Sequence, residues 1–400
     1  MDNFLSVKNN MDDTDALIFI HNINLRGGTE IMALNLMSAM NSAGIKCKIL
    51  TLVPYSGKDH NILSVPSDAF ELYQSTSDSF INKLIRPTKY LKILRRILEQ
   101  AIIIISPKLF INFTYDFFPA TPNGNNKTLT CGVLHWSIIG YEQSIFSQIK
   151  LKPLLQRPIS YISFLLKKKS IHRCLPHINK LIALTHAGKK EILNINPKIS
   201  QGQIKIIPNF IPFDKPCQYI SSLCNKTAIF VGRLSIEKGC YRLLDIWEIV
   251  SHRNPDWHLK IYGTGDEYSG MLSEIKRRNI PNIQFCGFEK DLNEIYKNAD
   301  ILLCTSDSEG FGLVLIEAMY YGVIPISFDC PISPKEIIGE AGILVDCYNY
   351  EQYAREINEL IASPYKMRQL QFNAINRAAE FLEPIIISKW KKITDRNTIL

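Results

Sequence analysis

Short apolar runs, each ending in a polar, glycine-bearing turn that hands over to a helical pattern, recur along this chain. The first is ALIFIH (Ala16 to His21), followed by a loop at Arg26-Gly27-Gly28 and a helical stretch from Thr29 to Ser42. A turn at Gly44 leads into a second run, Cys47 to Val53. The pattern restarts past the middle of the chain. TAIFVGRL (Thr227 to Leu234) ends in a loop, a helical stretch covers about Gly239 to Val250, and WHLKIYGTG (Trp257 to Gly265) is again strand and turn. Continuous apolar runs of this length suit strands buried on both faces, and helices between them supply the cover of a parallel sheet. Two such series in 400 residues predict two doubly wound α/β domains, since one ordinary domain is shorter.

The remaining elements follow the same alternation. AIIIIS (Ala101 to Ser106) or KLFINF (Lys108 to Phe113), then TCGVLH (Thr130 to His135) and KLIALT (Lys180 to Thr185), are expected strands of the first domain. In the second, helices are expected over Tyr268 to Arg278 and Asp291 to Lys297. Strands are expected at IQFCGF (Ile283 to Phe288), DILLCTS, VIPISF and GILVD. Prolines break the periodicity in IIPNFIPFDKP, Ile206 to Pro216. The expected domains are therefore residues 1–205 and 206–378, with residues 379–400 as a terminal helical segment.

Composition narrows the class. No stretch approaches the ~20 apolar residues that span a bilayer, and the first residues hold early acids and no apolar core of a signal peptide. The ten cysteines are scattered without a C-x-x-C pair, which fits a reducing cytoplasm better than a disulfide framework. Charge is lopsided. Residues 1–200 hold 24 basic and 13 acidic side chains, a net +11, whereas residues 201–400 are at −3. Residues 81–100 carry six cations and one acid, and residues 147–173 carry seven and none, both mixed with Leu, Ile and Tyr. Basic amphipathic segments of this kind suit an anionic membrane surface. A nucleic-acid partner is not expected, because no reader motif accompanies the charge.

Three loops carry the chemistry. CTSDSEGFGLVLIEAMYYGVIP, Cys304 to Pro325, runs from an apolar strand through a glycine turn into a helix expected from Phe311. Such a junction aims backbone N–H groups and the positive helix end at an anionic ligand. Glu309 and Glu317 lie eight residues apart, about 12 Å if the span is helical. GRLSIEKG, Gly232 to Gly239, places Arg233 and Lys238 after a strand, where two cations could neutralise a departing diphosphate. Gly27 and Gly28 form a phosphate-loop candidate, and His135 closes an expected strand. Asp13-Thr14-Asp15 has the form of a metal-binding D-x-D but precedes the first strand, so no metal role is expected.

The string from Glu309 to Glu317, with GFG between and EAMxxGxxP after, resembles the signature of retaining glycosyltransferases of the GT-B fold, glycosyltransferase family 4. GGxE at Gly27 and the Arg233/Lys238 loop are similar to other segments of that family, as are ALTHAGKKEI (Ala183 to Ile192) and GFEKDLNEIYKNAD (Gly287 to Asp300). FDCPISPKEII (Phe328 to Ile338) resembles a string common in enzymes that use UDP-sugars, with Ser333 where glycine is usual.

The resemblance implies two Rossmann-like domains facing a central cleft, and a last helix, PIIISKWKKI, crossing back onto the first. It implies transfer of a hexose or N-acetylhexosamine, with retention, from a UDP-sugar to a hydroxyl of a lipid-linked glycan, on undecaprenyl diphosphate or lipopolysaccharide core, in O-antigen, lipopolysaccharide or capsule assembly. The expected location is the cytoplasmic face of the cell membrane. By the same resemblance, Glu309, Arg233, Lys238 and His135 serve catalysis. Gly27, Gly28, Arg233, Lys238, Phe288, Glu309, Gly310, Phe311, Gly312, Leu313 and Glu317 hold the donor, Glu317 through the ribose. No metal or other cofactor is expected. A noncatalytic sugar-nucleotide binder and a GDP-mannose-type transferase are the alternatives. A phosphorylase of this fold would need a pyridoxal-phosphate lysine context that the sequence lacks.

Overall fold

The computed structural model describes residues 14–25, 27–65, 80–135 and 157–395, with the backbone alone for 80–89 and 157–159. The chain divides into two units. One takes the residues up to Pro208 together with those from Ile386, and the other is Asn209–Ile385. The final helix, Glu383–Thr394, thus belongs mostly to the first unit.

The first unit is a parallel sheet of β1 (Ala16–Ile20), β2 (Cys47–Thr51), β3 (Ile62–Ser64), β4 (Leu109–Asn112), β5 (Leu129–Leu134), β6 (Lys180–Ala183) and β7 (Ile204–Ile206). Their order is β3-β2-β1-β4-β5-β6-β7. Every residue of β1 is buried, as its unbroken apolar sequence requires. The helix Gly28–Ser42 leads from β1 back to β2. Phe19, Leu50 and Phe110 pack with Leu94 and Leu98 from the long helix Phe80–Ile105.

That helix decides between the two alternative strands expected here. Ala101 to Ile105 is its last turn, and the strand is the alternative run at Leu109–Asn112. Leu91, Leu94, Leu98, Ala101 and Ile102 are buried while Ile103 is 69% exposed, so the isoleucine run continues a helical face. Ser106, at φ 52°, and Pro107 then end the helix.

The second unit is a parallel sheet of β8 (Thr227–Val231), β9 (His258–Tyr262), β10 (Ile283–Gly287), β11 (Ile301–Cys304), β12 (Ile324–Phe328) and β13 (Ile343–Val345). The order is β10-β9-β8-β11-β12-β13. Helices Cys240–Arg253 and Tyr350–Ile361 pack on it through Leu243, Leu244, Trp247, Tyr353 and Ile357, all fully buried. The strand order reverses between β8 and β11, which pair at Ala228↔Ile301 and Ile229↔Leu302. Open parallel sheets bind ligands beyond the carboxyl ends of the strands at such a switch point.

Candidate functional site

The loops that leave β8 and β11 at this switch point are stitched together by backbone and side-chain bonds. Gly232 and Leu234 donate backbone N–H groups to the carbonyls of Tyr262 and Thr264, 3.0 Å each, which fixes the loop after β8 on its neighbour. A short turn over Ile236–Lys238 then ends at Gly239, whose φ of +75° lies in the left-handed region. A Cβ there would stand 2.0 Å from the Thr305 carbonyl oxygen, so the crossing of the two loops requires glycine. The Thr305 hydroxyl donates to the carbonyls of Lys238 and Gly239, 3.1 Å each, and Arg242 Nε donates to the Thr305 carbonyl at 3.1 Å. Arg242 also pairs with Asp307 at 2.9 Å.

This stitching sets Lys238 against Glu309. Lys238 Nζ lies 2.6 Å from Glu309 Oε1, and the Ser306 hydroxyl donates to the same oxygen at 2.6 Å. Glu309 is 7% exposed. From the loop after β12, fully buried Ser333 donates its hydroxyl to the Glu309 carbonyl at 2.8 Å. Ile332, at φ 89°, forms a parallel bridge with Glu309. Ser333 itself sits at φ −109°, so this position places no demand for glycine on the backbone. Burial would depress the Lys238 ammonium, but the Glu309 carboxylate more than offsets this and holds it above the ordinary lysine value. Arg233 is exposed and forms no ion pair among the described residues.

Glu317 stands on the helix Leu313–Tyr320. That helix starts two residues later than the Phe311 expected. Gly312 precedes it at φ +79°, with no side-chain cap. Residues 309–312 are therefore loop, and the 12 Å helical rise between the two glutamates does not apply. Phe311 is buried edge-on against Phe381, with centroids 5.8 Å apart, so of the GFG trio it anchors while the glycines leave room. Tyr296 donates its hydroxyl to Glu317 Oε2 at 2.7 Å. Burial raises the Glu317 carboxyl above the ordinary glutamate value, and the Tyr296 hydroxyl opposes that rise. Phe288, just past β10, is 48% exposed.

The second unit thus brings Lys238, Glu309, Gly310 and Phe311 onto loops from adjacent strands, with Gly312, Leu313 and Glu317 running into the helix that follows. Sequence reasoning missed Thr305, Ser306, Arg242 and Tyr296. Two small hydroxyl residues directly after an apolar strand were the available signal for the first two. In the first unit, Gly27 precedes the helix Gly28–Ser42 in extended conformation, φ −84° and ψ 167°, so its backbone does not require glycine. His135 follows β5, buried against the Phe113 ring with centroids 4.5 Å apart, and its Nε2 has no hydrogen-bond partner among the described residues. Burial pushes its imidazole down to about 3, so the ring is neutral near pH 7. Of the D-x-D, Asp13 and Arg26 of the glycine loop lie outside the described residues. Asp15 pairs with Lys108 at 2.7 Å.

Residues 221–377 match the family model described as Glycosyl transferases group 1. The chain is 30% identical over 230 residues to the amylovoran biosynthesis glycosyltransferase AmsD of Erwinia amylovora, covering 55% of this chain and 63% of that protein. It is 25% identical over 224 residues to the lipopolysaccharide 1,6-galactosyltransferase of Salmonella typhimurium, covering 52% and 59%. The chain spans less than two thirds of the length of either relative. Among solved structures, TarM of S. aureus superimposes with a TM-score of 0.73 at 15% identity, covering 96% of this chain and 100% of that one. The lipopolysaccharide outer core galactosyltransferase WaaB does so at 0.66 and 17%, covering 95% and 98%. With its two parallel-sheet, Rossmann-like units, the chain has the GT-B fold.

Proposed function

We propose that this protein is a glycosyltransferase that moves a hexose or N-acetylhexosamine from a nucleoside diphosphate-sugar, UDP-linked, to a hydroxyl of a surface-polysaccharide precursor, with anomeric configuration retained. The observation that carries this reading is the Lys238–Glu309 pair at the β8/β11 switch point, 2.6 Å apart. A diphosphate seated there meets the cations of Lys238 and Arg233, and the charge that grows as it leaves is stabilised by both. The N–H groups of Gly310 to Gly312 and the start of the helix Leu313–Tyr320 add positive potential. Glu317 accepts the ribose hydroxyls, and Phe288 borders the base.

Glu309 acts in this reading as a positioning and charge-stabilising group. Its Oε1 already accepts from Lys238 and Ser306, each at 2.6 Å, and an oxygen so engaged is a poor nucleophile. The carboxylate instead faces the positive charge that develops on the sugar as the bond to phosphate breaks, and the acceptor hydroxyl enters on the face the diphosphate leaves, passing its proton to the departing phosphate oxygen. Relatives named for amylovoran and lipopolysaccharide synthesis support the acceptor class, and solved neighbours in complex with UDP support the donor. The reading needs no metal, because the two cations serve the diphosphate.

A lipid-linked acceptor at an anionic membrane surface is part of the proposal. The helix Arg157–Cys174 holds no acidic residue. Tyr161, Ile162, Leu165 and Leu166 are exposed along one of its faces, which continues into Lys169 and Arg173. An apolar stripe bordered by cations suits the interface of an anionic leaflet. Among the described residues no helix is long and apolar enough to cross a membrane.

The deciding experiment is incubation of purified protein with a panel of UDP- and GDP-sugars and a lipid-linked acceptor. Nucleotide release and the anomeric configuration of the product are read together. Release from a UDP-hexose with a retained linkage is expected. Binding of donor without release in the presence of any acceptor favours a noncatalytic binder, and release from GDP-mannose alone favours the other donor class.

A further inference from the structure

We infer that Tyr296 is a positioning residue for the donor site, holding the Glu317 carboxylate in the orientation and charge state that receives the nucleotide ribose. This rests on the assignment of Glu317 to the ribose. Tyr296 ends the short helix Leu292–Tyr296 and is fully buried. Its hydroxyl donates to Glu317 Oε2 at 2.7 Å. The ring lies nearly parallel to that of Tyr321, with centroids 5.5 Å apart and 12° between planes, and Tyr321 in turn donates its hydroxyl to Asn293 Oδ1 at 3.0 Å. Asp291 caps the same helix by accepting from Asn293 N–H at 2.8 Å. The phenol therefore has one place to stand and one acceptor to meet.

The consequence for Glu317 is specific. A carboxylate has lone pairs for several donors. With Oε2 committed to Tyr296, Oε1 and the remaining lone pair of Oε2 are left for two ribose hydroxyls. Burial favours the neutral carboxyl, which can no longer accept both, and the phenol is the donor that counters this. Tyr321 also faces Glu317. Burial is the main cause that keeps both phenols neutral; for Tyr296 the Glu317 carboxylate comes next, whereas for Tyr321 it adds least, after Cys217, Tyr320 and Asp291. Glu317 forms no ion pair among the described residues. A hydroxyl thus does the work elsewhere done by a cation, and it does so without competing for the phosphates.

The test uses UDP as the probe and compares wild type, Tyr296→Phe, Glu317→Gln and the double variant by calorimetric titration between about pH 5 and pH 8, alongside steady-state kinetics. Phenylalanine keeps the ring stack and removes the hydroxyl alone. Loss of one hydrogen bond to a charged group should weaken UDP binding about tenfold. The loss of binding on acidification should move to higher pH by about one unit, the equivalent of that factor. Turnover at saturating donor should stay near wild type. Glu317→Gln should weaken binding at every pH, and adding Tyr296→Phe to it should cost little more. If Glu317→Gln weakens binding but Tyr296→Phe leaves both affinity and pH profile unchanged, the inference is wrong and the site assignment survives. Additive losses in the double variant also overturn it, because they assign Tyr296 a general packing role. Unchanged UDP binding in Glu317→Gln removes the ribose assignment itself and the inference with it.

Discussion

Replacing Lys238 by methionine separates what the Lys238–Glu309 pair does for the fold from what it does for catalysis. Nζ and Oε1 are 2.6 Å apart, with the side chains 29% and 9% exposed. Removing one partner of a fully buried pair costs about 3–5 kcal/mol, because a charge is left uncompensated. Here the lysine keeps some solvent contact and Ser306 still donates to the stranded carboxylate, so the expected loss is smaller, about 2–3 kcal/mol. For a domain of this size that lowers the melting temperature by about 4–12 °C. The folded-state lysine is held above its ordinary value of 10.5. The pair's contribution in the wild type is therefore fully present through neutral pH and is lost only as pH rises through the raised folded value. Turnover should fall about 10²–10³-fold, the scale for losing one preorganised donor in the transition state. Adding Glu309→Gln removes the stranded charge. Scanning calorimetry should then show most of the lost stability restored, while nucleotide-release assays show turnover still depressed. Wild-type turnover in Lys238→Met, or recovery of turnover in the double variant, would refute the catalytic role.

Four further expectations follow from the same loops and from the first unit. Arg233→Ala should lower turnover by about 10²-fold with little change in thermal stability, since the side chain is exposed; activity of the wild type should survive EDTA, and loss restored by Mn²⁺ or Mg²⁺ would contradict the metal-free reading. Ser333→Ala removes the buried bond to the Glu309 carbonyl, so melting should report a loss of about 1 kcal/mol, and kinetics a fall in kcat at nearly constant donor KM. Leu165→Glu combined with Leu166→Glu should abolish salt-sensitive flotation with anionic vesicles while nucleotide release with a soluble acceptor persists; undiminished flotation would remove the helix Arg157–Cys174 as the docking face.

Much of the second unit was legible along the chain. The helix Tyr268–Arg278 and the strands at Thr227, Ile283 and Ile324 fall where the apolar runs and their glycine and proline borders put them, because those borders act locally on φ and ψ. Ala101 to Ile105 was ambiguous, since five apolar residues fit a buried strand or a helix turn equally well and the choice fell to the packing of Leu94 and Leu98. The glutamate helix starts at Leu313 rather than at Phe311 because Gly312 takes a left-handed φ, which is not written in its neighbours.

The sequence by itself determined the βα alternation, the two sheets and the chemical kind of each loop, because strand, helix and turn preferences act over a few residues. Only the tertiary structure decided which loops meet. Lys238 reaches Glu309 across 71 residues, and Tyr296 reaches Glu317 across 21. Ser333 reaches the Glu309 backbone across 24. These pairings exist because β8 lies beside β11 and β11 beside β12 in the sheet, an order set by burying both faces of every central strand at once. No local preference encodes that order, so the charge of the lysine, the tilt of the carboxylate and the bond that holds each of them belong to the folded molecule.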